Sequence, residues 1–81
     1  MIVRSLFFAQ YRDFAGRDEI AVELPDPSTV ADLVARLRAD GNGLSKLPEK
    51  PVVAINMDYA PLASALRDGD EVAFIPPVAG G

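Results

Sequence analysis

No cysteine, no histidine and no tryptophan occur in the 81 residues, and each gap removes a class of chemistry. Without cysteine there is no disulfide and no thiolate nucleophile. Without histidine the usual proton shuttle near neutral pH and the commonest zinc ligand are gone. Basic side chains are also scarce: eight Lys and Arg stand against twelve Asp and Glu, a formal charge of −4 at pH 7. Nucleic-acid binding rests on clustered cations that release counterions, so this balance argues against it and favours a basic protein partner. No apolar run approaches the roughly 20 residues that a membrane helix needs. The opening MIVRSLFF lacks the basic start and long apolar stretch of an export signal. The expectation is a soluble, cytoplasmic protein with no membrane partner, and the missing disulfides suit that reducing compartment.

Hydrophobic residues make up 49% and charged residues 25%, proportions that support one small globular core rather than a disordered chain. Ile2 to Ala9 is rich in β-branched and aromatic residues. Its alternation places Val3, Ser5 and Phe7 on one face, with Arg4, Leu6 and Phe8 on the other. Tyr11 to Asp18 brings charge and Gly16, a turn or one short helical turn, before Glu19 to Leu24 alternates again with Ile20, Val22 and Leu24 together. These segments form a hairpin that Pro25 and Pro27 end, since neither offers an amide donor.

A helix is expected from Thr29, an N-cap with Asp32 three residues on. Val30, Leu33, Val34 and Leu37 make its apolar stripe. Arg36 and Arg38 suit the last turn and Gly41 the C′ position, so the helix ends near Asp40. Asn42 to Pro51 reads as a surface loop that holds both lysines, Lys46 and Lys50, and carries no functional signal. Val52 to Ile55 reads as a short buried strand followed by a turn at Asn56 to Asp58. Tyr59 to Leu66 is less regular. Asp68, Gly69 and Asp70 form a strong turn signal, and Glu71 to Ile75 alternates once more, with Val72 and Phe74 on one side.

The ββαββ order gives an α+β domain over residues 1–81, a mixed sheet with one main helix packed on one face and an extended tail at 76–81. It fits a β-grasp arrangement, in which the first and last strands run side by side at the centre. One helix covers one face, so the other should be polar. Leu6, Phe8 and Ile75 nevertheless fall there, beside Arg4, Ala73 and Glu71, and mark a docking surface.

Familiar catalytic constellations are missing: there is no phosphate loop, no dinucleotide fingerprint and no zinc-protease motif. Asp68, Asp70 and Glu71 read as a solvated turn, because a hard cation needs six or more arranged oxygens, and no metal is expected. The unusual feature is the final run Pro76, Pro77, Val78, Ala79, Gly80 and Gly81. Two prolines hold an extended path at about 3 Å per residue, so six residues reach roughly 18 Å. That stiffness reduces the entropy lost on insertion into a partner. The glycine pair makes a thread without side chains, fit for a narrow tunnel. The chain is expected to end at Gly81, whose carboxylate is the one group such a construction presents.

LRDGDEVAFIPPVAGG closely resembles the C-terminus of the small subunits of molybdopterin synthase, the MoaD-type sulfur carriers of the ubiquitin-like β-grasp superfamily. LFFAQYRDFAG, the helix after Thr29 and NMDYAPL at Asn56 to Leu62 resemble the same family, and the loop from Asn42 to Pro51 matches it least. The resemblance implies that an ATP-dependent activating enzyme adenylates the Gly81 carboxylate. Sulfur from a persulfide-bearing donor protein then displaces AMP to leave a thiocarboxylate. It further implies that the tail enters the large subunit of the synthase, in a heterotetramer with two large subunits at its centre, and donates sulfur to cyclic pyranopterin monophosphate. No permanently bound cofactor and no autonomous active site are implied, only ATP used by the activating enzyme. Phe8, Tyr59 and Ile75 are the implied docking residues, Ile75 standing where the family often has Phe. The alternatives are sulfur delivery for thiamine thiazole, cysteine or tRNA thiolation, ubiquitin-like protein modification through Gly81, or a passive adaptor that binds through the patch and never loads its tail.

Overall fold

Alternation along β1 (Ile2–Phe7) produces the half-covered strand expected of it: Val3, Ser5 and Phe7 are buried and Arg4 is exposed. The computed structural model describes residues 1–77, apart from the side chain of Asn42. The expectations for Val78, Ala79, Gly80 and Gly81 lie outside the described residues. β1 pairs antiparallel with β2 (Glu19–Glu23), Val3 facing Val22 and Ser5 facing Ile20. Their connection is α1 (Ala9–Ala15), a seven-residue helix where a turn or one helical turn was expected. The extra length follows from Tyr11 and Phe14, three residues apart on one side of the helix, which pack against each other and the core. Gly16 closes the helix at φ 75°, a left-handed geometry that glycine adopts without strain.

α2 (Val30–Ala39) begins at its expected cap. The Thr29 hydroxyl oxygen accepts from the Asp32 amide at 3.3 Å, and the Asp32 carboxylate accepts from the Thr29 amide at 2.8 Å. This reciprocal pair satisfies two donors that the helix itself leaves free. Val30, Leu33, Val34 and Leu37 are all buried, each contributing about 1.5–3 kcal/mol by leaving water. That stripe seats the helix on the sheet.

β3 (Val52–Ile55), β4 (Asp58–Ala60) and β5 (Glu71–Ile75) complete a five-stranded mixed sheet in the order β2-β1-β5-β3-β4. β1 and β5 lie parallel and adjacent at its centre, as the β-grasp order requires. Phe7 and Phe74 sit side by side there with ring centroids 5.3 Å apart. The Asp68–Asp70 turn braces this pairing. Asp68 accepts from the Ile2 amide at 2.7 Å, and Asp70 accepts from the Arg67 amide at 2.8 Å and from the Asn56 side chain at 3.0 Å.

Two segments differ from the sequence reading. The loop at 42–51 is more than surface: a 3-10 turn (Asn42–Lys46) leads into Leu47, and Leu44 and Leu47 both join the core. A Cβ on Gly43 would meet the Phe14 carbonyl oxygen at 2.1 Å, so the missing side chain is what lets this turn lie against α1. Val52 to Ile55 was expected to be buried, yet Val52 is 56% exposed, because only one side of β3 faces the helix. The short strand β4 was not anticipated in the irregular stretch after Asp58. It follows from Asn56 and Met57, whose φ values of 48° and 77° form a tight turn matched to the twist of a hairpin. Among the described residues no helix is long and apolar enough to cross a membrane.

Two stability outcomes follow. Thr29→Ala removes the cap and is expected to lower unfolding free energy by about 1 kcal/mol in urea titration, with an unchanged slope. Ser5 is fully buried between Val3 and Phe7, and its hydroxyl has no hydrogen-bond partner among the described residues. Ser5→Ala is therefore expected to gain about 1 kcal/mol and raise Tm by roughly 4–8 °C in calorimetry. A lower Tm would show that the hydroxyl is satisfied in solution.

Candidate functional site

The helix leaves one side of the sheet uncovered, and the strand registers decide what stands there. On β1 this side carries Arg4 and Leu6, with Phe8 continuing the alternation through its extended backbone. On β5 it carries Glu71, Ala73 and Ile75. Leu6 lies beside Ala73, Ala73 faces Ala54, and Ala54 faces Tyr59, a row that crosses four strands. In the next row Ile75 faces Val52. Phe8 is 48% exposed, Val52 56% and Tyr59 76%, so this is apolar surface left to water on a chain with few aromatics.

The other half of the same face is ionic. Arg4 binds Glu19 at 2.8 Å and Glu71 at 3.3 Å, and both contacts are partly open to solvent. The hydrogen bond and charge of Arg4 hold Glu19 below the ordinary carboxylate range, and Glu19 in turn raises Arg4. The face is thus divided. Arg4 and Glu71 stand level near the starts of β1 and β5, Glu19 stands level with Leu6 at the β2 edge, and the apolar side chains lie toward the end of β5 and on β3 and β4.

That end is where the tail begins. Pro76, half-buried, and Pro77, exposed, leave β5 directly beyond Ile75. The structure therefore brings Phe8, Tyr59 and Ile75 onto one face and places the tail root at its margin. Val78, Ala79, Gly80 and Gly81 lie outside the described residues. Two residues of this corner were not singled out from the sequence. Val52 looked buried because a run of apolar residues hides its alternation, and its position opposite Ile75 depends on a pairing across 23 residues of chain. Lys50 was assigned to a loop without function, yet it lines recesses on both sides of Val52.

The chemistry available here is limited. Among the described residues no group of three or more Asp or Glu side chains could hold a metal ion. Asp68 accepts from the Ile2 amide of β1, and Asp70 accepts from the Arg67 amide and the Asn56 side chain. The face offers a surface on which to dock and a root from which a tail departs.

Comparison with known proteins gives this arrangement a family. The family model described as ThiS family matches residues 5–81. The molybdopterin synthase sulfur carrier subunit of Chlamydomonas reinhardtii is 40% identical over 83 aligned residues that span 100% of both chains. Among solved structures, SAMP1 of Haloferax volcanii superposes with a TM-score of 0.87 at 28% identity, covering 100% of each chain. A chain from the complex of subunits 1 and 2 of the molybdopterin-converting factor of Helicobacter pylori superposes with a TM-score of 0.72 at 26% identity, again over 100% of each. The chain belongs to the ThiS family, and its fold is the ubiquitin-like β-grasp.

Proposed function

We propose that this chain is the sulfur-carrier small subunit of molybdopterin synthase, acting through the carboxylate of Gly81. A carboxylate resists nucleophiles. Adenylation by an ATP-dependent activating enzyme gives it a good leaving group. The outer sulfur of a persulfide-bearing protein displaces AMP to form an acyl disulfide, and a second thiol cleaves that disulfide, leaving a thiocarboxylate and a protein disulfide. The loaded tail enters the large subunit and transfers its sulfur to cyclic pyranopterin monophosphate, in a heterotetramer built on two large subunits. ATP is consumed by the activating enzyme, and the carrier holds no cofactor of its own. The cytoplasm is the compartment that this cycle requires.

The observation that carries the reading is the position of Pro76 and Pro77, which leave the central strand β5 at the edge of an exposed apolar face in a chain similar along its whole length to named sulfur carriers. A carrier needs a surface that docks and a terminus that reaches, and needs no acid or base. The inventory of side chains has that character: no Cys, no His, and charges on the open face already paired. Phe8, Tyr59 and Ile75, with Val52 between Ile75 and Tyr59, form the docking surface of this reading.

A second reading has one observation in its favour, the likeness to SAMP1, small archaeal modifier protein 1 of Haloferax volcanii. In it Gly81 would be joined to lysines of other proteins. Isopeptide-linked adducts in lysate would favour that reading, and a thiocarboxylate without adducts would favour the carrier.

Intact-mass spectrometry after incubation with the activating enzyme, ATP and a sulfur source is expected to show a gain equal to sulfur minus oxygen. Deleting Gly81 is expected to abolish the gain. Phe8→Asp and Val52→Asp are each expected to weaken large-subunit binding at least about tenfold while leaving the fold intact, since both side chains are exposed and each would bury a carboxylate. Unchanged affinity in titration calorimetry would remove the apolar face from the mechanism.

A further inference from the structure

A recess of about 420 Å³ opens beside the tail root, walled by Pro51, Val52, Ile75 and Pro77. Its size matches cavities that accept several side-chain groups rather than one. Two polar groups interrupt the apolar lining, Lys50 and Tyr11. Both are donors.

Most other cations of the chain are engaged. Arg4, Arg12, Arg36 and Arg38 each meet a carboxylate, and Lys46 lies over the Phe14 ring at 5.8 Å. Lys50 has no ion pair among the described residues. The Tyr11 hydroxyl likewise has no hydrogen-bond partner among them, and its oxygen is not fully buried but open to water. Partial burial raises the phenol above its ordinary range, so it stays protonated at neutral pH. An unused ammonium and an unused hydroxyl in one apolar recess are suited to a single kind of guest, an acceptor with negative charge.

Resting on the carrier reading, we propose that the recess formed by Tyr11, Lys50, Val52, Ile75 and Pro77 receives a carboxylate side chain of the large subunit, flanked by apolar residues. Its function is to orient the docked partner. The chain carries a net charge of −4, so a partner carboxylate meets net repulsion from it as a whole; Arg17 and Arg67 also have no ion pair among the described residues, but neither lines this recess. At Lys50 it meets the reverse. The tail's own carboxylate is a poor occupant, because a charge held at Lys50 would be withheld from adenylation.

The test titrates the intact chain and its variants with the large subunit at low and high salt. Lys50→Met is expected to weaken binding about tenfold and Lys50→Glu further, while Lys50→Arg retains most of the affinity. Tyr11→Phe is expected to weaken it about fivefold, with its aromatic packing preserved. Added salt is expected to narrow the gap between the unchanged chain and Lys50→Met, because the pair is partly open to water. Lys50 is exposed, so its variants fold, Tyr11→Phe keeps the buried ring, and circular dichroism checks every variant. Equal affinity for Lys50→Glu and the unchanged chain would overturn the recess proposal and leave the carrier reading standing. Failure of the unchanged chain to bind the large subunit would overturn both. In the free chain, a shift of the Tyr11 and Lys50 resonances on deleting Gly80 and Gly81 would identify the tail as occupant and overturn the proposal as well.

Discussion

The parallel pairing of β1 with β5 is the contact on which the rest of the molecule depends. Parallel neighbours cannot be joined by a tight turn, and here nearly the whole chain is the connection between them. Their union stacks Phe7 against Phe74 at the centre of the core. It is locked at its starting end by the Asp68 carboxylate on the Ile2 amide and by the Arg4 amide donating to the Asp70 carbonyl at 2.9 Å. One consequence is positional. The strand that leads into the tail is a central strand, so Pro76 emerges beside Phe8 and Val52 rather than from a loop at the molecule's edge.

A second consequence concerns coverage. A ten-residue helix can cover one side of a five-stranded sheet, and the 3-10 turn with Leu44 and Leu47 extends that cover on the same side. Among the described residues, no helix or loop covers the opposite side. Its charges, Arg4, Glu71 and Glu19, run from the starts of β1 and β5 to the β2 edge, and Phe8, Ile75, Val52 and Tyr59 occupy the end of β5 and the β3 and β4 side. The paired charges there are screened by water and add little stability. In the proposed carrier, they keep this face soluble when no partner is present.

Much of this was legible in the sequence because it is locally encoded. The α2 stripe and its Thr29 cap lie within one helix, and the faces of β1 and β5 follow from alternation within each strand. The helix α1 was not legible, since its only apolar anchors, Tyr11 and Phe14, are set among charges and take their meaning from the core they meet. Gly43 could not be read either: its lack of a side chain matters because Phe14, distant in sequence, lies against it. Val52 and Lys50 show the same limit. Their roles arise from the pairing of β3 with β5 and from the recess beside Pro77, and neither is contained in a short window of residues.

In the proposed mechanism the division of labour is physical: the sheet supplies recognition, the two prolines stiffen the exit, and the reactive atom belongs to the Gly81 carboxylate rather than to a side chain. The most direct test begins with a chain made chemically with a thiocarboxylate at Gly81, bypassing activation altogether. Mixed with the large subunit and cyclic pyranopterin monophosphate, it should revert to the carboxylate as dithiolene product appears, two carriers consumed per product. A thiocarboxylate that persists unconsumed beside a competent large subunit, with no product formed, would contradict the carrier mechanism.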